Sequence, residues 1–305
     1  MVKMGYQLSE KPREIMRSKV QVRDGGCQHG GSRRGFTLIE LLVVIALVAV
    51  LAAMLLPVLN RARAKAQGFQ SVNNTRQLVL AWVLYSDDHS GRLAYNLGGA
   101  AGNKAVALKT NANWVNNNLD WEVTNSDNTN TATLTEASLG DYASKATSIY
   151  RCPADRVLSI KQREAGWTAR VRSYSMNAMI GDAGDLTESG FNENNPNYVQ
   201  FFRITDIPLP AEIFVFVEEH PDSINDGYFV NQFYTKHWID LPASDHDGGA
   251  PFAFADGHAQ MRRWVNASTR QPLQPGAVEF PLLVGPEETT DLNWVMQHTS
   301  VKPQK

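Results

Sequence analysis

Phe36-Thr-Leu-Ile-Glu40-Leu-Leu-Val-Val-Ile45-Ala-Leu-Val-Ala-Val50-Leu-Ala-Ala-Met-Leu55-Leu-Pro57-Val-Leu59 contains a single charged side chain, that of Glu40. As an α-helix the stretch would rise about 36 Å, enough to cross an apolar bilayer core of about 30 Å. Arg33-Arg34-Gly35 precedes it, and Arg61-Ala-Arg-Ala-Lys-Ala66 follows. Working outward, the chain is basic before this run and acidic after it. Residues 1 to 35 hold 8 of the 29 Lys/Arg and 3 of the 31 Asp/Glu, so the excess of acid lies beyond Phe36. Basic flanks stay cytoplasmic, so the acidic bulk is expected to be exported, and a nucleic-acid binder would carry the opposite bias.

Three readings compete for the run. A secretory signal has an apolar stretch of about 7 to 15 residues and then a small-residue cleavage site, which Ala62-Arg-Ala64 or Ala64-Lys-Ala66 could supply. The run is long for that, and a carboxylate near its start is unexpected. A plain membrane anchor accounts for the length but not for Glu40, because a charge deep in a bilayer costs about 2.5 to 3.5 kcal/mol on insertion scales. The third reading supplies Glu40 with a partner.

Arg33-Arg34-Gly35-Phe36-Thr37-Leu38-Ile39-Glu40 resembles the processing site of type IV prepilins and type II secretion pseudopilins. The resemblance implies cleavage after Gly35, N-methylation of the new Phe36 amine by a prepilin peptidase/N-methyltransferase, and Glu40 as fifth residue of the mature chain. A cationic amine at Phe36 could then neutralise Glu40 of a neighbouring subunit inside an apolar filament core. Pro57 stands where many pilin helices kink. The leader of residues 1–35 is long for the family, which makes Met16 an alternative start. The implied partners are that peptidase, sister subunits, an inner-membrane assembly platform and membrane lipid, with no nucleic acid. The implied location is a single-pass inner-membrane protein, N-terminus cytoplasmic and head periplasmic, or extracellular within a filament.

Beyond Pro57, Phe69, Val72, Val79, Leu80, Val83 and Leu84 fall at helical spacing, which predicts an amphipathic stem over residues 60–90, helical to about Tyr85 and stopped by Asp87-Asp88-His89-Ser90-Gly91. Residues 98–135, with eight Asn between Asn111 and Asn130, predict a long irregular loop pinned by Trp114 and Trp121. A short helix is expected near Glu136 to Ala146. From Ile149 the pattern turns to short apolar or alternating runs: Ile149–Pro153, Arg172–Asn177, Phe201–Thr205, Glu212–Val217, Pro251–Ala255 and His258–Val265. These predict an antiparallel sheet, so the expected class is α+β: a long N-terminal transmembrane and stem helix packed on a β-sheet head at 91–305. Cys27 lies in the leader, so a mature chain holds Cys152 alone and no internal disulfide.

A second resemblance points the same way. His246, nine residues, then Asp256-Gly257 is similar to the prepilin-type C-terminal domain named for that pattern, and Ser71-Val-Asn73-Asn74-Thr-Arg-Gln77, Cys152-Pro153 and Tyr174-Ser-Met-Asn177 also look like that family. The family often carries a cysteine where this chain has Ser71, so a disulfide to Cys152 is lost.

Two polar clusters are candidate sites in the head. Asp245, His246, Asp247 and Asp256 form one; Glu219, His220, Asp222 and Asp226 form the other. Carboxylate and carbonyl oxygens suit Ca²⁺, and His with Asp suits Zn²⁺, but neither cluster has the spacing of an EF-hand loop or a zinc helix motif. Ordinary turn chemistry is the competing reading, with Asp256-Gly257 turning a hairpin, Asp222 to Gly227 forming another turn, and His246 hydrogen-bonded across the hairpin. No nucleophile elbow, P-loop or dinucleotide fingerprint is present, so no enzyme is expected. Two alternatives to a filament subunit stay open: a carbohydrate-binding module using the Trp and Asn residues, and a metal-dependent hydrolase using Glu219, His220, His246 and Asp256.

Overall fold

A computed structural model describes residues 36–108, 113–187 and 189–303; the leader, with Cys27 and Gly35, lies outside them. Helix α1 spans Leu38–Asp88. The chain divides into two compact units, residues 1–53 and 54–305, and α1 contributes to both. Pro57 sits inside this helix and brings no N–H to the main-chain ladder.

In the first unit every described side chain is exposed, and the apolar window of α1 has none of its residues buried. By length and composition α1 could cross a membrane. Thr37 precedes its first turn and caps it. The Thr37 N–H donates to Glu40 Oε2 at 2.9 Å, the Glu40 N–H donates to Thr37 Oγ1 at 3.3 Å, and the Thr37 hydroxyl donates to Glu40 Oε2 at 2.8 Å. This reciprocal capping box satisfies donors that a helix start otherwise leaves unpaired.

In the second unit the rest of α1 is followed by α2 (Gly99–Leu108), α3 (Ala132–Thr135) and α4 (Ile160–Glu164). Then come β1 (Tyr174–Asn177), β2 (Phe214–Glu218), β3 (Tyr228–Phe229), β4 (His237–Trp238), β5 (Gly249–Phe254), β6 (Ala259–Arg263), β7 (Leu282–Leu283) and α5 (Thr290–Gln297). Five strands form a sheet in the order β3-β1-β2-β5-β6, and β4 pairs with β7 separately. The expected α+β class holds, with one departure from an all-antiparallel sheet: β1 and β3 run parallel.

The central strand β2 is buried along its whole length, because both faces of the sheet are covered. On one side Leu78, Val79, Ala81 and Trp82 of α1 join Trp114, Tyr174, Met176, Phe216 and Ala253. On the other Phe214, Val217, Phe252, Phe254 and Trp264 join Leu292, Val295 and Met296 of α5. Burial on this scale is what holds the head together, at about 1.5 to 3 kcal/mol for each large apolar side chain.

Several local expectations need correcting. Helix α1 continues three residues past Tyr85 and ends where Gly91, at φ +81°, returns its N–H to the Ser86 carbonyl. The Asn-rich segment contains helices α2 and α3, and the helix expected near Glu136 to Ala146 lies earlier, at α3, with turns in its place. Ile149 and Tyr150 lie in a 3₁₀ turn, and Phe201 makes only an isolated bridge to Ile180. The β5–β6 hairpin does form, and Gly257 takes φ +91° in its turn, where a side chain would be strained.

Candidate functional site

Among the sites expected from the sequence, Gly35 lies outside the described residues, while Phe36, Glu40 and Pro57 all belong to the apolar, exposed segment. Glu40 is more than a charge in need of a partner. It also closes the capping box, so the Thr37-x-x-Glu40 spacing carries a local role that was legible but unused.

The expected metal cluster does not assemble as written. Asp247 pairs with Arg263 at 3.1 Å, and Asp256 pairs with His258 at 2.6 Å in the exposed hairpin turn. His246 turns inward and does not bond across the hairpin. Its Nε2 lies 3.0 Å from Glu218 Oε2 at the end of β2 and 3.3 Å from Cys152 Sγ. Among the described residues, the His, Cys, Asp and Glu donors that converge are Cys152, Glu218 and His246, whose ligand atoms lie within 4.8 Å of one another, all buried.

Each member of this trio is held by a different element. Cys152 follows the 3₁₀ turn at Thr147–Tyr150; the Ala154 N–H donates to its sulfur at 3.2 Å and its own N–H donates to Ser173 Oγ. Glu218 Oε2 also accepts from Ser71 Oγ of α1 at 2.6 Å, and Ser71 in turn shares a hydrogen bond of 2.7 Å with the Tyr174 hydroxyl. Ser71 therefore does more than lack a cysteine: it ties α1 to the carboxylate. His246 packs against α1 at Gly68, where an added Cβ would lie 3.5 Å from Nδ1. Glu218 Oε1 and His246 Nδ1 are buried without a hydrogen-bond partner.

The electrostatics of the trio favour positive charge. Burial pushes the Cys152 thiol up, and the Glu218 charge pushes it further. Burial and then Glu218 hold Asp245 up at about 7. Burial opposes the charged form of His246, but the hydrogen bond and charge of Glu218, with Asp245, outweigh it and raise the imidazole above its usual range.

Glu219, His220, Asp222 and Asp226 are absorbed into the scaffold. Glu219 accepts from Ser175 and, at 2.9 Å, from Ser223, and burial raises it to about 7. His220 Nδ1 accepts from the Asp222 N–H, while its Nε2 faces the Gln271 carbonyl at 3.2 Å. Asp222 accepts from the Gln274 N–H, and Asp226 accepts from the N–H groups of Gly99 and Tyr228. Beside them the buried Arg172 guanidinium donates to Asn117, Ser175 and the carbonyls of Tyr174 and Asn225. These four residues pin loops to the sheet, and the hydrolase set Glu219, His220, His246 and Asp256 is not brought together.

The tryptophans are likewise used internally. Trp114 is fully buried and donates to the Gly227 carbonyl, and Arg170 lies over Trp121 at 4.0 Å from the ring centre. Asn113, Asn117, Asn125 and Asn128 spend their amides on neighbouring main chain or side chains. Trp114 is thus closed off from solvent, while Trp121 stays half-buried beneath Arg170.

Residues 31–56 match the family model of the prokaryotic N-terminal methylation motif. The matched stretch takes in Gly35, Phe36 and Glu40 and stops just short of Pro57, so the chain carries a prepilin-type N-terminal segment of the kind found on pilin-like structural subunits. The match does not extend to the head or to its His246-to-Gly257 pattern. No curated protein and no solved structure matches the chain.

Proposed function

We propose that this protein is a filament subunit of the type IV pilus or type II secretion pseudopilus class, made as a precursor, cut after Gly35 and N-methylated on Phe36. The methylation motif at residues 31–56, running into the stretch of α1 whose apolar side chains are all exposed among the described residues, is the observation that carries the reading. An exposed apolar helical segment of this length needs lipid or sister helices around it. The precursor would rest in the inner membrane with its basic leader cytoplasmic and its acidic head periplasmic. A prepilin peptidase/N-methyltransferase would process it, and an assembly platform would lift it from lipid into a stack of like helices. In that stack the Phe36 amine of one subunit neutralises Glu40 of another. The head works by shape and surface, as a structural element and not an enzyme.

Mass spectrometry of the mature N-terminus tests this. The expected product begins at N-methylated Phe36, and Gly35→Ala leaves the precursor uncut. A mature chain that began at Met1 or after Ala64 would overturn the proposal.

A further inference from the structure

We infer that Cys152, Glu218 and His246 form a zinc-binding site inside the head. Three elements distant in sequence bring one thiol, one carboxylate and one imidazole to a single buried point, with donor atoms within 4.8 Å of one another. In a tetrahedral zinc site, metal–ligand distances of about 2.0 to 2.3 Å place neighbouring donors roughly 3.3 to 3.6 Å apart. The observed 3.0 Å and 3.3 Å separations need to widen by only a few tenths of an ångström to admit the ion.

An independent observation also points to a cation. Glu218 is 1% exposed, yet its Oε1 has no partner, although a buried carboxylate oxygen left unmatched is costly. A metal held by both carboxylate oxygens would satisfy Oε1, while Oε2, the oxygen 3.0 Å from His246 Nε2, keeps its bond from Ser71. The donor set selects the metal: thiolate with imidazole suits zinc-like ions, whereas Ca²⁺ takes six to eight oxygens. Binding displaces the thiol proton of Cys152 and the proton on His246 Nε2, and both leave to solvent. The Ala154 N–H, already directed at the sulfur, then stabilises the thiolate.

Outside the ligands, Ser71 and Tyr174 orient Glu218, the arrangement that tunes metal sites. A cleft of about 480 Å³, lined by Ala64, Gly68 and Val72 of α1 together with His246, Met261 and Arg263, reaches the imidazole from the α1 side. Three protein ligands leave a fourth position for water. The ion would join the Cys152 turn, β2 and the loop before β5, and through Ser71 it would join α1 to them. Bound there, it would help to fix the stem on the head.

The test uses the full-length chain in detergent, stripped with chelator and titrated with Zn²⁺ or Co²⁺ alone. Expected are one equivalent of bound zinc, a cobalt spectrum with thiolate charge-transfer absorption and tetrahedral bands, and a thermal transition raised by Zn²⁺. Cys152→Ser and His246→Asn should each weaken binding more than about 100-fold, and Ser71→Ala by about 10- to 100-fold, the range for residues that orient ligands. Asp256→Asn should leave affinity unchanged. A wild-type cobalt complex without the thiolate band, or zinc retained at full affinity by Cys152→Ser, overturns the inference. The wild-type spectrum decides even where a variant fails to fold. N-terminal processing is a separate readout, so the outcome does not depend on the filament proposal.

Discussion

Replacing Glu40 by Gln and by Ala separates its two roles. In the structure Oε2 accepts from the N–H and the hydroxyl of Thr37. Glutamine at the third helical position closes a capping box as glutamate does, so Glu40→Gln keeps the cap and removes the charge. Alanine removes both, and losing the cap costs about 1 kcal/mol. If the Phe36 amine is neutralised by Glu40 of a neighbouring subunit, either change strands a cation in the apolar layer. That costs about 2.5 to 3.5 kcal/mol. At 1.4 kcal/mol per decade, subunit association falls roughly 60- to 300-fold.

The assay compares, at matched precursor levels, the fraction processed by mass spectrometry and the fraction recovered in sheared or crosslinked filaments by immunoblot. Both variants should be cut as well as wild type, and both should assemble poorly, with alanine about fivefold worse than glutamine from the lost cap. Wild-type assembly by Glu40→Gln, with a defect only in Glu40→Ala, would refute the charge argument and leave Glu40 as a helix cap.

Further expectations concern the head. Phe252 is fully buried and meets Phe214, Trp264 and Trp294 edge to face, so Phe252→Ala should destabilise the chain by about 3 to 5 kcal/mol, read from denaturant midpoints. A Cβ on Gly249 would lie 2.4 Å from the Arg262 carbonyl oxygen across the β5–β6 pair, so Gly249→Ala should cost about 1 to 3 kcal/mol and lower the Tm; an unchanged melt would show that the hairpin can shift freely. Asp240 is buried, accepts from the Val230 N–H at 2.6 Å, and is held well above the usual carboxylate range, first by burial and then by Glu219. Its folded form therefore keeps a proton that the unfolded chain releases. The contribution is full below the unfolded value of about 3.9 and is lost as pH rises through the folded pKa. Asp240→Asn should flatten the fall in stability over that window, and parallel profiles for the two proteins would contradict the reasoning.

The strongest elements were legible because their causes are local. An unbroken apolar run with Thr37 and Glu40 at its head can only cap and propagate a helix, and Asp256-Gly257 between two alternating runs demands a hairpin turn. The first strand, Tyr174–Asn177, and the central strand, Phe214–Glu218, also announced themselves by composition. The parallel partner Tyr228–Phe229 did not, because two residues carry no period. Helix Gly99–Leu108 was hidden among residues read as loop, and the four-residue helix at Ala132–Thr135 is too short to show a repeat.

The sequence by itself determined the membrane-length helix, its capped and charged start, the methylation motif and the α+β class, since each follows from neighbours along the chain. Only the tertiary structure decided the fate of the head's polar residues. His246 was read with Asp245, Asp247 and Asp256 because they lie near it in sequence, yet it meets Cys152, 94 positions away, and Glu218, 28 positions away. Glu218 ends a buried strand and His246 lies in the turn before β5, so which groups they meet depends on how elements distant in sequence pack. With α1 covering one face of the sheet, the inward groups were forced to find partners with one another, and Asp247 and Asp256 found theirs at the surface in Arg263 and His258.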